Sequence, residues 1–394
     1  MRWCDMRLLT HWVLMLCATA VIHGKTLELG FPELKHRVKV TLPDDHDPAQ
    51  KYPALLYYHG QGGEPDTSLM LHHTGSKQWI VVGMSYFQLG AMTMSREAMA
   101  KEMTLLRSVK RHLQTKYGMD PARCYVGGFS KGGWMADMFL QADSTLAGGV
   151  ILGAGHLHSY HKSPVHYQKR KPVFIGVGRL DSNYPNAFKA VLYHRKVGAR
   201  TDLEVWPGVG HSMPRDGSES LQQWFNLRLL VKPALNESAK KGMQASYEDA
   251  LKLDPLAQWR RLGEIRELPY ADVLGSNWKK LLTQKMIELE KAEPVKSEAQ
   301  ALAKHRKILF QEITKVTLTS LVQVHTAYQS LAEQFPSTTE GKLAIKDRDR
   351  TAAIIKQWQK QKASAGEKKK NPFDPVKHKD PENKRRIPMN PLVK

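Results

Sequence analysis

The chain is short of cysteine. Its 394 residues hold three, Cys4, Cys17 and Cys124. Two of them fall in an N-terminal stretch that reads as a secretory signal: Arg2 and Arg7, an apolar run over 12–21, and the Ala18-Thr19-Ala20 cleavage pattern. Cleavage after Ala20 would leave Cys124 as the single thiol. That excludes an intrachain disulfide and a cysteine-based metal site. Export of so cysteine-poor a chain fits a secreted or periplasmic, bacterial-envelope protein better than a disulfide-stapled extracellular domain. Long apolar runs are scarce as well. The 12–21 run is shorter than the roughly 20 residues of an ordinary membrane span, although a retained N-terminal anchor is an alternative.

Acidic residues are also in deficit. There are 38 Asp and Glu against 59 Lys and Arg, a formal net charge of +21. Of this, +10 lies before residue 235 and +11 after it, and the stretch from Lys356 to the end carries 12 basic and 4 acidic residues. The excess is therefore spread out, with one concentrated tail. It does not require nucleic acid as a partner. An anionic surface, such as lipid headgroups or an acidic polysaccharide, answers the same charge.

What is present first is an alternation. Short apolar runs at 37–42, 54–59, 79–83, 123–128, 149–153, 173–178 and 203–206 are separated by amphipathic stretches at 95–116, 133–142, 185–196 and 218–230. This pattern predicts an α/β domain with a mostly parallel sheet over about 25–233. After Pro233 strand-like runs disappear. Helical periodicity takes over at 246–253, 278–291, 298–331 and 339–362, with breaks at Pro255, Pro269, Pro294 and Pro336. Two pieces, at 247–255 and 328–344, look like tetratricopeptide hairpins but do not keep that repeat's roughly 34-residue spacing, so a plain helical region over 234–362 is expected. From 363 the composition is rich in Lys, Pro and Asn, which predicts a disordered basic tail.

Four local patterns carry chemistry. Gly128-Phe129-Ser130-Lys131-Gly132 follows an apolar run and precedes a helix-like one. A nucleophile elbow needs this setting, with small residues on either side of a serine held on a strained strand-to-helix turn. Upstream, Tyr58-His59-Gly60-Gln61-Gly62-Gly63 closes a strand with a glycine-rich loop. Main-chain N–H groups of Gln61 and Lys131 are the candidate oxyanion donors, with His59 and Gly60 beside the substrate. Downstream, Gly208-Val209-Gly210-His211 places a histidine on a glycine-flanked loop between the last strand-like run and the last helix of the domain. It is the candidate general base. Between them an apolar run ends in Gly178-Arg179-Leu180-Asp181, and Asp181 is the candidate partner that orients His211. Asp202 and Asp216 are rivals, but the first begins a strand and the second follows the histidine.

With these motifs in the order Ser130, Asp181, His211, residues 27–231 resemble the α/β-hydrolase superfamily. Within it they resemble single-domain serine esterases of the dienelactone-hydrolase, feruloyl-esterase and polyhydroxyalkanoate-depolymerase-like groups, near the catalytic domains of prolyl-oligopeptidase-type peptidases. The resemblance implies a doubly wound sheet, no cofactor, and acyl-enzyme chemistry at Ser130 on a small ester or an ester-decorated polymer. The helical region after Pro233 is not part of that family pattern. It and the basic tail are candidates to bind a protein partner or an anionic surface. No gating propeller precedes the domain, which weakens the peptidase alternative. A hydrolase fold used only for binding need not keep all three triad residues.

His156, His158, His161 and His166 cluster in a polar loop at 155–167, and His156 and His158 are expected to shape the substrate pocket. Their spacing matches no standard closed zinc site and no carboxylates lie nearby in sequence, so no metal is expected. Trp134, directly after the elbow, reads as core.

Overall fold

The computed structural model describes residues 25–368, except 76, 88–95, 157–169, 230–232, 273 and 315–316. The expected signal segment, His158, His161, His166 and the chain beyond Lys368 lie outside those residues.

Among the described residues eight strands build one sheet: β1 (Thr26–Phe31), β2 (His36–Thr41), β3 (Tyr52–Tyr58), β4 (Ile80–Met84), β5 (Met119–Phe129), β6 (Gly148–Leu152), β7 (Pro172–Gly178) and β8 (Arg200–Trp206). Their order is β1-β2-β4-β3-β5-β6-β7-β8. β1 and β2 pair antiparallel with each other, β2 pairs antiparallel with β4, and every pair from β4 to β8 is parallel. The expected α/β class with a mostly parallel sheet is what forms. β1 went unread because it is a short edge strand whose residues alternate between solvent and sheet.

The central strands are apolar on both faces because helices cover both. Leu56, Tyr58, Val126, Ile151 and Ile175 face one core, while Leu55, Tyr57, Tyr125, Val150 and Phe174 face the other. The first core is closed by α2 (Arg96–Lys116), α3 (Lys131–Ala142) and α4 (Tyr184–Lys196). α2 supplies Met99, Met103, Leu106, Val109 and Leu113, buried at helical spacing. The second core is closed by α1 (Ser68–Thr74) and α5 (Glu219–Leu227), with Trp79, Trp206, Trp224 and Phe225. Cys124 is buried within β5, and Trp134 is buried in the first core, as expected.

Among the described residues six α-helices follow: α6 (Pro233–Ala250), α7 (Pro255–Glu267), α8 (Ser276–Leu289), α9 (Val295–Thr314), α10 (Leu318–Gln334) and α11 (Thr339–Lys368). Pro255 does break the chain, but it also opens α7. It occupies the first helical turn, and the Asp254 carboxylate caps the N–H groups of Leu256 and Ala257. The single helix expected over 298–331 is two helices, because Thr317 and Ser320 form a reciprocal capping box that starts α10. α11 runs past the expected end at 362, in keeping with its Lys, Gln, Ala and Glu content. α9 belongs to both halves of the molecule. Its Leu309 is buried in the sheet's first core and its Ile308 in a core shared with α10 and α11.

Candidate active site

β5 ends at Phe129 and α3 begins at Lys131, so Ser130 alone makes the turn. Its backbone is forced to φ 54°, ψ −117°. A non-glycine residue held there costs about 1–3 kcal/mol, and only surrounding structure can maintain it. That structure is visible. Ser130 N–H donates to Leu152 O at 2.8 Å, and its carbonyl accepts from Trp134 N–H at 3.0 Å. A methyl on Gly132 would lie 2.0 Å from Tyr58 O, and one on Gly128 2.2 Å from the backbone of Gly132. The two glycines of the motif are thus required by close chain approach.

His211 arrives on the loop after β8. Its Nε2 is 2.8 Å from Ser130 Oγ and its Nδ1 2.7 Å from Asp181 Oδ2. The second carboxylate oxygen of Asp181 accepts from Asn183 N–H at 2.8 Å. Asp181 is buried, whereas the imidazole is 43% exposed. With Nδ1–H donated to the buried carboxylate, Nε2 remains an acceptor for the serine hydroxyl proton. The hydrogen bond to Asp181 raises the imidazole pKa above its ordinary value, against the lowering effect of burial. The serine, the base and the acid predicted from sequence are therefore brought into one hydrogen-bonded line.

The glycine-rich loop after β3 runs beside the serine. A methyl on Gly60 would be 3.6 Å from Ser130 Cβ. Gly60 O accepts from His59 Nδ1 at 2.7 Å and from Tyr86 Oη at 3.0 Å. A trans peptide is planar, so pinning this oxygen sets the Gln61 N–H in the opposite direction. Lys131 N–H belongs to the first turn of α3, whose amide groups point out of the helix end.

Residues 55–229 match the phospholipase/carboxylesterase family of α/β-hydrolases. This domain has the α/β-hydrolase fold and the nucleophile–base–acid arrangement of a serine hydrolase. The hydrolase is also similar to solved structures, each at low identity. Thermogutta terrifontis esterase 2 is 16% identical, with 52% of this chain and 92% of that one covered and a TM-score of 0.39. A phospholipase/carboxylesterase from Dyadobacter fermentans is 16% identical, covering 52% and 96% at a TM-score of 0.36. Pyrococcus horikoshii acylaminoacyl peptidase is 11% identical, covering 52% and 40% at a TM-score of 0.37. No curated protein matches the chain.

Two expectations for the hydrolase change. His59 was expected at the substrate. Its ring instead stacks on Tyr86, with centroids 4.6 Å apart, and its Nδ1 holds Gly60 O. It fastens the glycine-rich loop after β3. His156 was expected to shape the pocket. It is only 4% exposed, stacks on Tyr193 at 3.8 Å, and bonds through Nδ1 to Asp137 at 3.0 Å. Asp137 also takes the Nε2 of His194 at 2.9 Å, so His156 belongs to a buried His–Asp–His bridge behind α3. The carboxyl of Asp137 is held down at about 2, burial being outweighed by the two histidines. Tyr86 and Asp137 are not marked by anything local, because each is defined by a partner brought close by the fold. Asn183 is local to Asp181, two residues on, and its backbone N–H is what meets the carboxylate.

Proposed function

We propose that the protein hydrolyses carboxylic esters through a covalent acyl-enzyme on Ser130. The observation that carries this reading is the continuous line Ser130 Oγ, His211 Nε2, His211 Nδ1, Asp181 Oδ2, with spacings of 2.8 and 2.7 Å across its two hydrogen bonds. The phospholipase/carboxylesterase match over 55–229 supports the choice of ester over other acyl substrates.

In the first half-reaction, Ser130 Oγ attacks the ester carbon while His211 Nε2 takes its proton. The carbonyl oxygen becomes an oxyanion and accepts hydrogen bonds from the main-chain N–H groups of Gln61 and Lys131. Asp181 stabilises the imidazolium without taking its proton. The imidazolium then protonates the departing alkoxide, leaving the acyl group on Ser130. In the second half, water loses a proton to His211 and attacks the acyl carbon. The proton returns to Ser130 Oγ as the carboxylic acid leaves. The substrate is a small ester or an ester on a polymer. The N-terminal segment 1–20 and the basic tail support an exported enzyme that works near an anionic surface.

The test is a panel of p-nitrophenyl esters of increasing acyl length beside peptide p-nitroanilides. Turnover of esters alone supports the reading. Turnover of peptides alone refutes it.

A further inference from the structure

Arg179 lies two residues before Asp181 and directly after the end of β7. It is 5% exposed. Its guanidinium reaches away from the sheet into the C-terminal helices. Nη1 and Nη2 take the two carboxylate oxygens of Asp347 at 3.3 and 2.8 Å, and Nη2 also takes Glu340 at 2.8 Å and His305 Nε2 at 3.0 Å. The two carboxylates come from α11 and His305 from α9, all more than a hundred residues further along the chain. The same guanidinium lies 4.5 Å over the ring of Tyr184, which opens α4 just after Asp181. Arg350 ties Asp347 in turn to Glu312 on α9.

The acid turn is therefore gripped from two sides. On its inner side, Leu180 N–H donates to Val209 O at 2.9 Å, and a methyl on Gly178 would lie 2.2 Å from Gly210 O, one residue before His211. On its outer side is the Arg179 anchor. A two-pronged arginine–carboxylate pair fixes direction as well as distance. Leu309 of α9, buried in the sheet's own core, holds the helices against this side of the domain.

We propose that the C-terminal helical region is a working part of the catalytic centre, holding Asp181 against His211 through Arg179. This rests on the ester-hydrolase reading of the triad. Arg179 is a positioning residue, since it acts through Asp181 and touches no reacting atom. Loosening its anchor lets the Asp181 carboxylate drift from His211 Nδ1. The imidazole then loses the hydrogen bond that raises its pKa, and the charge attraction to the carboxylate weakens with distance, so the lowering effect of burial counts for more.

The experiment uses the full chain and three variants: Asp347→Asn, Glu340→Gln and Arg179→Lys. Lys110→Met serves as control, because it breaks a different semi-buried ion pair, Lys110 with Asp143 at 3.1 Å, away from the acid turn. Two quantities are read. One is kcat and KM on p-nitrophenyl acetate across pH. The other is the His211 titration by NMR, which needs no turnover. The anchor variants should lose roughly 10- to 100-fold in kcat with little change in KM. Their acid limb and His211 titration should move to lower pH, most for Asp347→Asn and least for Arg179→Lys. The control should move neither. If Asp347→Asn does not fold, the two milder variants decide. Folded anchor variants with wild-type kcat and His211 titration overturn the proposal, as does an equal shift in Lys110→Met. If wild type turns over no ester, the NMR titration still decides the positioning role while the ester reading falls.

Discussion

His211 Nδ1 and Asp181 Oδ2 are 2.7 Å apart, and the carboxylate is buried while the ring is not. This pair sets the pH behaviour. The hydrogen bond raises the His211 pKa, and the reaction needs the neutral ring. Activity should therefore rise through a midpoint above the ordinary histidine value of about 6.5. The same shift acts on stability with the opposite slope. Its contribution is present in full below the unfolded-state value and fades as pH rises through the raised one. Asp181→Asn should lower kcat on the order of 10³- to 10⁴-fold and bring the acid limb down. A kcat/KM profile of both proteins checks this, and unchanged profiles would refute the coupling.

A second prediction concerns the elbow. Gly132 has Tyr58 O where a Cβ would go, at 2.0 Å. The obstacle is backbone of the central strand β3, which cannot swing aside as a side chain can. Gly132→Ala should destabilise the fold by about 3 kcal/mol or more and abolish ester turnover. Urea unfolding and a p-nitrophenyl ester assay measure the two effects. A variant with wild-type stability would mean that the elbow is looser than its geometry indicates.

The chain order of the triad and the two glycines of the elbow were legible in the sequence because their constraints are local. A strained serine needs small neighbours two residues away, and a strand-to-helix switch shows in periodicity. The tasks of His59 and His156 were not legible. Position in the chain points each of them to the substrate, but each meets a residue the sequence does not place beside it, Tyr86 and Asp137. Arg179 lies two residues before Asp181, but the side chains its guanidinium is hydrogen-bonded to lie 126 to 168 positions away. The start of α10 was readable in principle, since Thr317 and Ser320 are a local cap. The apolar periodicity that continues past it hid the break.

A third prediction follows from the buried bridge. Asp137→Leu removes the shared acceptor of His156 and His194 and leaves both rings without it inside the protein. The expected loss is about 2–5 kcal/mol, read by urea unfolding at neutral pH. In wild type, the low pKa of Asp137 gives stability that is present above the ordinary carboxylate value. It is lost as pH falls toward about 2. Wild-type and Asp137→Leu stabilities should therefore converge on acidification, and a constant difference down to that pH would contradict the assignment.

The most direct test of the account is turnover of p-nitrophenyl acetate and butyrate by wild type and Ser130→Ala, side by side, with a fluorophosphonate probe on both. Wild-type turnover, a fall of about 10⁴-fold or more in the mutant, and labelling of Ser130 alone are the predicted result. A folded wild type that neither turns over ester nor takes the probe would contradict the central claim.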